Sequence, residues 1–132
     1  MKALFGIFLC FILTSCATNH FKTIEGNWKQ DFLSYKTQNA IVPKTNDKTI
    51  IVISKSKKNI QIEFDFNDGY EKDKTDSIVF NFPKLTFKKT NLDKSSNYYD
   101  LTYHVNCDCF LGEMQSFSGN ILNIKLNRVS AR

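Results

Sequence analysis

Apolar and polar residues alternate along much of this chain, and this period of two constrains its fold more than any other feature. The clearest run spans residues 60–66, where isoleucine and phenylalanine alternate with polar side chains, and a second run contains Leu122, Ile124 and Leu126. Successive side chains of a strand point to opposite faces, so this pattern predicts strands with one buried face. Because no helical period or repeat interrupts the pattern, the sequence predicts an all-β domain.

Turn signals divide the alternating segments into seven or eight strands. Asp68-Gly69 and Ser118-Gly119-Asn120 are typical of turns, and Pro83 ends a strand because it donates no ladder hydrogen bond. Residues 71–76 are predicted as a charged loop, and residues 99–109 as a strand with its apolar side chains on one face. Closure removes the exposed edges of meandering strands. We therefore predict a small antiparallel up-and-down β-barrel, with a β-sandwich as the alternative.

The N-terminal segment differs from the rest of the chain. Lys2 is its only early charge, and residues 3–13 are almost wholly apolar. This run is shorter than the roughly 20 residues of a membrane-spanning helix, whereas a basic start before an apolar run is typical of a signal peptide. Leu13-Thr14-Ser15-Cys16 follows, and it resembles the lipobox of bacterial lipoproteins. The alternatives are an ordinary secretory signal and a short N-terminal membrane helix.

The lipobox resemblance implies cleavage before Cys16 and lipid attachment to its thiol. It divides the chain into a signal peptide (1–15), a lipidated tether (16–23) and a β-barrel domain (24–132). Two or three acyl chains hold a protein durably at a membrane. Ala17 stands where many lipoproteins retained at the inner membrane have Asp, so the resemblance implies a bacterial cell-envelope protein anchored in the outer membrane and facing the periplasm.

The formal net charge of the chain is +5, and its lysines are scattered among acidic residues. Nucleic-acid binding requires basic residues clustered on one face with interleaved aromatic residues. The scattered pattern instead indicates a solvated surface with mild attraction to anionic lipid headgroups or cell-wall polymers. We therefore predict a membrane as a partner, through the lipid anchor, and no nucleic acid.

Gly26-Asn27-Trp28 stands at the start of the predicted barrel and is similar to the Gly-x-Trp signature of lipocalins and bacterial lipocalin-like lipoproteins. In that family the Trp begins the first strand and closes one barrel end, and an Arg near the C-terminal end lies across the indole. The resemblance implies these structural roles for Trp28 and Arg128. The chain lacks the family's Thr-Asp-Tyr-type motif and its C-terminal helix, so an ordinary core position for Trp28 is the alternative.

Cys107-Asp108-Cys109 is the most distinctive local motif. Residues i and i+2 of a regular strand lie too far apart for a disulfide, so a bond between these cysteines requires a turn or bulge. In an oxidising compartment the two would pair, since lipidation occupies Cys16. Separate reduced thiols are one alternative. Copper or redox handling is another, because His104 and Met114 could add soft ligands for Cu(I).

No pattern in the sequence points to catalysis. Gly-x-Ser-x-Gly is absent, and the two histidines, His20 and His104, lie in the predicted tether and in a predicted strand. Residues 65–69 are superficially similar to a calcium loop, but Gly69 is one place out of register, which favours a hairpin turn. We therefore predict a non-enzymatic protein without a catalytic residue, cofactor or assigned metal.

Two kinds of binding remain open for the predicted domain. One is a small apolar ligand inside the barrel, or a scaffold role in the envelope. The other is a protein-binding inhibitor or immunity-type lipoprotein, with an exposed patch on residues 35–48 or 70–76. A filled interior would argue against the ligand carrier, because small barrels often fill their interior with side chains. The candidate ligand-binding residues are Phe64, Phe80, Phe82, Tyr99 and Tyr103.

Overall fold

The structure is a computed structural model that describes residues 20–44, 49–69 and 73–129. The predicted signal peptide, Cys16 and the first part of the predicted tether lie outside the described residues. Parts of the two predicted protein-binding patches, at 45–48 and 70–72, also lie outside them.

Eight antiparallel strands form one sheet that curves into a nearly closed barrel. Strands that are neighbours in sequence pair with each other, except β3 and β4, and β1 also pairs with β8. This confirms the predicted small antiparallel barrel rather than the sandwich. The strands are β1 (Gly26–Tyr35), β2 (Ile50–Ser56), β3 (Asn59–Asp65), β4 (Lys74–Asn81), β5 (Lys84–Thr90), β6 (Ser96–His104), β7 (Cys109–Gln115) and β8 (Ile121–Arg128).

The barrel is incomplete between β3 and β4. Among the described residues, a single bridge, between Phe64 and Asp73, joins these two strands. Nearby, the Thr75 hydroxyl donates a hydrogen bond to the Ile62 carbonyl. On the β4–β5 side, a register shift in β4 contains Ser77 at a φ of 52°. The β3–β4 seam is therefore held by few contacts, whereas ladders of paired residues join the other neighbouring strands.

The core follows the alternation of the sequence. In β8, for example, Leu122, Ile124 and Leu126 are buried while the residues between them are partly exposed. At Gly112 of β7 the neighbouring strand approaches so closely that an added Cβ would lie 2.0 Å from the Asp100 carbonyl oxygen. The barrel wall thus needs glycine at this position.

The two barrel ends differ in how they are covered. Phe21, Ile24 and Trp28 are buried at one end, which we call the closed end. A cavity opens at the other end, which we call the open end. The closed end contains residues 20–25, 57–58, 82–83 and 105–108, and the open end contains residues 36–44, 66–69, 91–95 and 116–120.

A short helical segment precedes β1. Residues 20–24 form one helical turn, and Phe21 belongs to the core although it falls within the predicted tether 16–23. Phe21 therefore packs against the closed end rather than extending into solvent. Among the described residues, no helix is both long and apolar enough to cross a membrane.

Two further predictions of local structure require correction. Residues 99–109 are not one strand: β6 ends at His104, and a 3-10 turn (Val105–Cys107) leads to β7. Apolar alternation continues through this turn, but Asp108 has a φ of 46°, which reverses the chain, and Val105 is exposed. The charged segment 71–76 was predicted as a loop, yet β4 begins within it because backbone pairing with β5 tolerates charged side chains on the outer face.

Candidate functional site

Trp28 lies at the centre of the closed end. Its ring makes an edge contact with Phe110 at 4.9 Å between centroids, and its indole N–H donates to the Ile24 carbonyl at 3.0 Å. The guanidinium carbon of Arg128 lies 4.2 Å from the centre of the indole. The two residues are also register partners of β1 and β8. The cation thus covers the ring where the first and last strands close the barrel.

Arg128 joins three segments of the closed end. Its Nε and Nη2 donate to the two carboxylate oxygens of Asp108 at 2.7 and 3.0 Å, a bidentate arrangement. Its Nη1 donates to the Glu25 carbonyl at 2.8 Å, and Nη2 also donates to the Thr23 carbonyl. Bidentate, charge-assisted hydrogen bonds are stronger and more directional than neutral ones. Arg128 therefore connects β8 to the β6–β7 turn and to the N-terminal segment.

A disulfide joins Cys107 to Cys109, with 5.2 Å between their Cα atoms. It encloses Asp108, whose φ of 46° and ψ of 52° are left-handed, a conformation that Asp and Asn adopt more readily than most residues. The bond lies in a turn, the geometry that two cysteines at this spacing require. The covalent loop holds the Asp108 carboxylate toward Arg128.

The charges of this cluster support each other. The Arg128 guanidinium, through its hydrogen bonds, holds the pKa of the Asp108 carboxyl below its ordinary value, and Asp108 raises the pKa of Arg128. The Tyr103 hydroxyl donates to Asp108 at 2.8 Å. Burial, followed by this hydrogen bond, raises the pKa of Tyr103. At neutral pH Arg128 is therefore charged, Asp108 is ionised and Tyr103 is protonated, so the three groups keep the hydrogen bonds that connect β8 to the β6–β7 turn.

The proposed soft metal ligands are not brought together. Cys107 and Cys109 are bonded to each other, and His104 is exposed at the end of β6. Met114 lines the open-end cavity, five positions along β7 from Cys109, or roughly 17 Å in an extended strand. Within the described parts of the chain, no three His, Cys, Asp or Glu residues form a group that could hold a metal ion.

The open end contains a cavity of about 200 Å³. Four aromatic residues and Met114 supply the apolar part of its wall, and five polar residues from several strands and loops complete it. The barrel interior between this cavity and Trp28 is filled by core side chains. The cavity is lined by Gln30, Phe32, Lys44, Thr49, Phe64, Phe66, Lys89, Asn97, Tyr99 and Met114.

A buried ion pair forms part of this wall. Lys89 Nζ lies 2.9 Å from Asp73 Oδ2, and the two side chains are only 13% and 8% exposed. The same ammonium lies 4.7 Å from the ring centre of Phe64 and 5.5 Å from that of Phe66. Buried charges require such compensation, since an uncompensated buried charge is strongly destabilising. Lys89 thus brings a cation to the cavity while Asp73 balances its charge.

Tyr99 supplies a second polar group to the cavity. Its ring stacks on Phe87 at 4.5 Å between centroids, and its hydroxyl is hydrogen-bonded to Gln30. Burial and the Asp73 charge raise the pKa of Tyr99. The hydroxyl therefore stays protonated at neutral pH and acts as a hydrogen-bonding group rather than as a base or nucleophile.

The five predicted ligand-binding residues divide between the two ends. Phe64 and Tyr99 line the cavity. Tyr103 contacts Trp28, Phe110 and Phe82 at the closed end, and Phe80 packs against Phe82. Phe80, Phe82 and Tyr103 therefore lie away from the cavity that Phe64 and Tyr99 line.

Polar cavity residues were missed by the sequence reasoning, although a signal for two of them is present. Gln30 lies between Trp28 and Phe32 at two-residue spacing, and Lys89 follows Phe87 at the same spacing. Alternation alone therefore places both side chains on the inward face. A polar residue at an inward position of a strand is the signal. Asp73, from a separate segment, has no comparable local pattern.

The rim of the open end exposes three large apolar side chains from three different loops. Ile41 is 97% exposed, Leu92 is 74% exposed and Phe117 is 70% exposed. They lie in the β1–β2, β5–β6 and β7–β8 connections. Contiguous exposed apolar patches mark interaction sites, and these three side chains lie at the same end of the barrel.

Comparisons with known proteins do not assign this site. No protein-family model matches the chain, and no curated protein or solved structure is significantly similar to it. The functional interpretation therefore depends on the residues at the two barrel ends.

Proposed function

We propose that this chain is a non-enzymatic lipoprotein of the bacterial cell envelope whose lipocalin-like barrel binds a small, mainly apolar ligand at its open end. The observation that most favours this function is the mixed wall of the cavity. Phe64 and Phe66 provide apolar surface, while Gln30 of β1 and Lys89 of β5 provide polar groups. Small-molecule sites typically combine an apolar lining with a few polar groups that orient the ligand.

The size of the cavity limits the ligand. Sites for drug-sized molecules enclose about 300–1,000 Å³, whereas this cavity encloses about 200 Å³. An apolar cavity of about 150 Å³ holds a benzene ring. We therefore expect a ligand with one ring or a short acyl chain in the aromatic part, and a hydrogen-bonding group near Tyr99 and Gln30.

Native mass spectrometry of the mature protein, isolated from the envelope of its own cells, tests the ligand function. We expect a retained small molecule and its loss in Thr49→Trp, because Thr49 lines the cavity and an indole there would fill it. Thr102→Trp is the matched control, since Thr102 lies on the outer wall. Absence of a bound molecule, or equal retention by both variants, would contradict ligand binding in this cavity.

The anchor has its own test. The lipobox-like Leu13-Thr14-Ser15-Cys16 supports cleavage before Cys16 and lipidation of its thiol. We expect the mature protein to have a mass larger than residues 16–132 by two or three acyl chains, and to remain in the outer-membrane fraction. Cys16→Ser should abolish both properties. An unmodified mature mass in the wild-type protein would contradict the anchor.

The exposed rim favours a second candidate function, a protein-binding inhibitor or immunity-type lipoprotein. Ile41, Leu92 and Phe117 would be buried against an envelope protein. The same mass spectra distinguish the two functions, because a protein partner adds kilodaltons and a small ligand adds hundreds of daltons. Replacing the three rim residues by Ser should release a protein partner and leave a cavity ligand bound.

A further inference from the structure

We propose that the closed end of the barrel docks on an anionic lipid bilayer, so that the open end faces away from the membrane. This proposal rests on the lipid anchor of the proposed function and adds an orientation to it. Four exposed lysines form the docking surface, which we call the basic end. These residues are Lys22, Lys55, Lys57 and Lys58.

The fold brings these four lysines together from two segments. Lys22 lies in the helical turn at residues 20–24, and Lys55, Lys57 and Lys58 lie at the β2–β3 hairpin. Lys55 Nζ lies 5.6 Å from the ring centre of Phe21, which shows that the two segments are adjacent. Each lysine near an anionic surface increases the binding affinity about fivefold, and the contributions of neighbouring lysines add in free energy.

The neighbouring acidic groups only partly balance the basic end. Asp108 is bonded to Arg128, so that pair adds no net charge. Asp76 lines the same groove as Lys58, and Glu25 follows the helical turn. Among the described residues the open end is more evenly mixed, because Lys44, Lys74 and Lys94 lie among Asp65, Asp68 and Asp93. The excess of positive charge is therefore at the closed end.

The point at which the chain enters the barrel favours a lipid surface over another anionic partner. His20, the first described residue, stacks on Phe82 at 4.2 Å between ring centroids at the closed end. Cys16 precedes it by four residues, so covalent geometry limits the separation of their Cα atoms to about 14 Å. A lipid on Cys16 would hold the basic end close to the headgroups. Dissolved ions screen charges over a Debye length of about 8 Å, so the attraction to the headgroups is strongest at short distance.

This orientation has a consequence for ligand access. The cavity opens at the opposite end of the barrel from His20. A ligand would therefore enter from the aqueous phase rather than directly from the anchoring bilayer. The rim residues Ile41, Leu92 and Phe117 would likewise face the aqueous phase.

Lysine footprinting of the full-length protein, purified from its producing cells, tests the docking. The protein is reconstituted into vesicles of phosphatidylcholine, with or without phosphatidylglycerol, and treated with an amine-acetylating reagent before peptide mass spectrometry. We expect Lys57 and Lys58 to react at least fivefold more slowly on the anionic vesicles. Lys94, at the open end, is the internal control and should react equally on both. The protection should disappear in about 1 M salt, where charges are screened within about 3 Å.

A charge variant completes the test. Lys57→Asn with Lys58→Gln should lower the protection of Lys22 and Lys55 at least fivefold, whereas Lys94→Gln should leave it unchanged. Equal reaction rates on both vesicles, or slowing of Lys94 as well, would overturn the docking. A protein that has no lipid and does not float with vesicles in high salt would contradict the proposed anchor. The lysine reaction rates at low salt would still test whether the basic end docks on the anionic bilayer.

Discussion

The guanidinium of Arg128 lies 4.2 Å from the centre of the Trp28 indole, and its Nε and Nη2 donate hydrogen bonds to the carboxylate of Asp108. The contact joins residues 100 positions apart in sequence, on the two strands that close the barrel. One cation thus links the strand closure, the disulfide-bonded turn and the N-terminal segment. Changes at this cluster are therefore expected to affect the whole closed end.

Arg128→Lys should lower the free energy of unfolding by about 2 kcal/mol, although it keeps the charge. A lysine ammonium replaces neither the planar stacking on the indole nor the bidentate contact with Asp108. Urea denaturation followed by the fluorescence of Trp28, the single Trp of the chain, measures the loss. Lys125→Met, on the same strand, is the control. A loss in Arg128→Lys no larger than in the control would contradict this role.

Asp108→Asn should be destabilising at neutral pH by about 1 kcal/mol, a small value because the carboxylate is 48% exposed and partly screened. The folded-state pKa of Asp108 lies below its ordinary value of 3.8. Its contribution is therefore present above that value and is lost as the pH falls through the folded-state pKa.

The stability difference between wild-type and Asp108→Asn proteins should accordingly be constant from pH 5 to 7 and shrink below about pH 4. Asn adopts the left-handed conformation as readily as Asp, so the backbone is kept. Denaturation at a series of pH values measures the difference. Asp93→Asn is the comparison variant, because it removes a carboxylate from the β5–β6 turn at the opposite end of the barrel from Arg128. A difference that grows on acidification would contradict the assigned sign.

Reduction of the Cys107–Cys109 disulfide should lower the free energy of unfolding by about 1.5 kcal/mol, the small effect expected for a very short closed loop. Part of this loss should come through Asp108, since the loop holds that carboxylate beside Arg128. Reduction should therefore cost less in Asp108→Asn than in the wild-type protein. The stability of Cys107→Ser should not change when reductant is added. If reduction lowers the stability of the wild-type and Asp108→Asn proteins equally, the disulfide does not act through the Arg128–Asp108 pair.

Gly112→Ala should destabilise the barrel by about 2 kcal/mol or more. The new Cβ would lie 2.0 Å from the Asp100 carbonyl oxygen and 2.8 Å from the Leu101 Cα, and both are backbone atoms that move only if β6 and β7 separate. Urea denaturation measures the effect. Gly69→Asn is the control, because an added Cβ there meets no atom within 4 Å and Asn tolerates positive φ. Equal stability of the two variants would contradict the close strand approach.

Several parts of this fold were predictable from local sequence because strand formation and side-chain alternation depend on neighbouring residues. The inward positions of Ile62, Phe64 and Ile124 follow from the two-residue period. The turn at Gly119 was predictable as well, because glycine readily adopts the positive φ of 86° found there. The same local reasoning failed at Val105, where alternation continues although the chain turns.

The sequence by itself determined that the chain forms strands, which side chains face the core, and that a Cys107–Cys109 bond needs a turn. Only the tertiary structure decided that Asp108 faces Arg128 and that Asp73, just before β4, pairs with Lys89 of β5. These pairs depend on strand register and barrel closure, which bring distant segments together by packing over the whole core. Local sequence contains the period of each strand but not its partner.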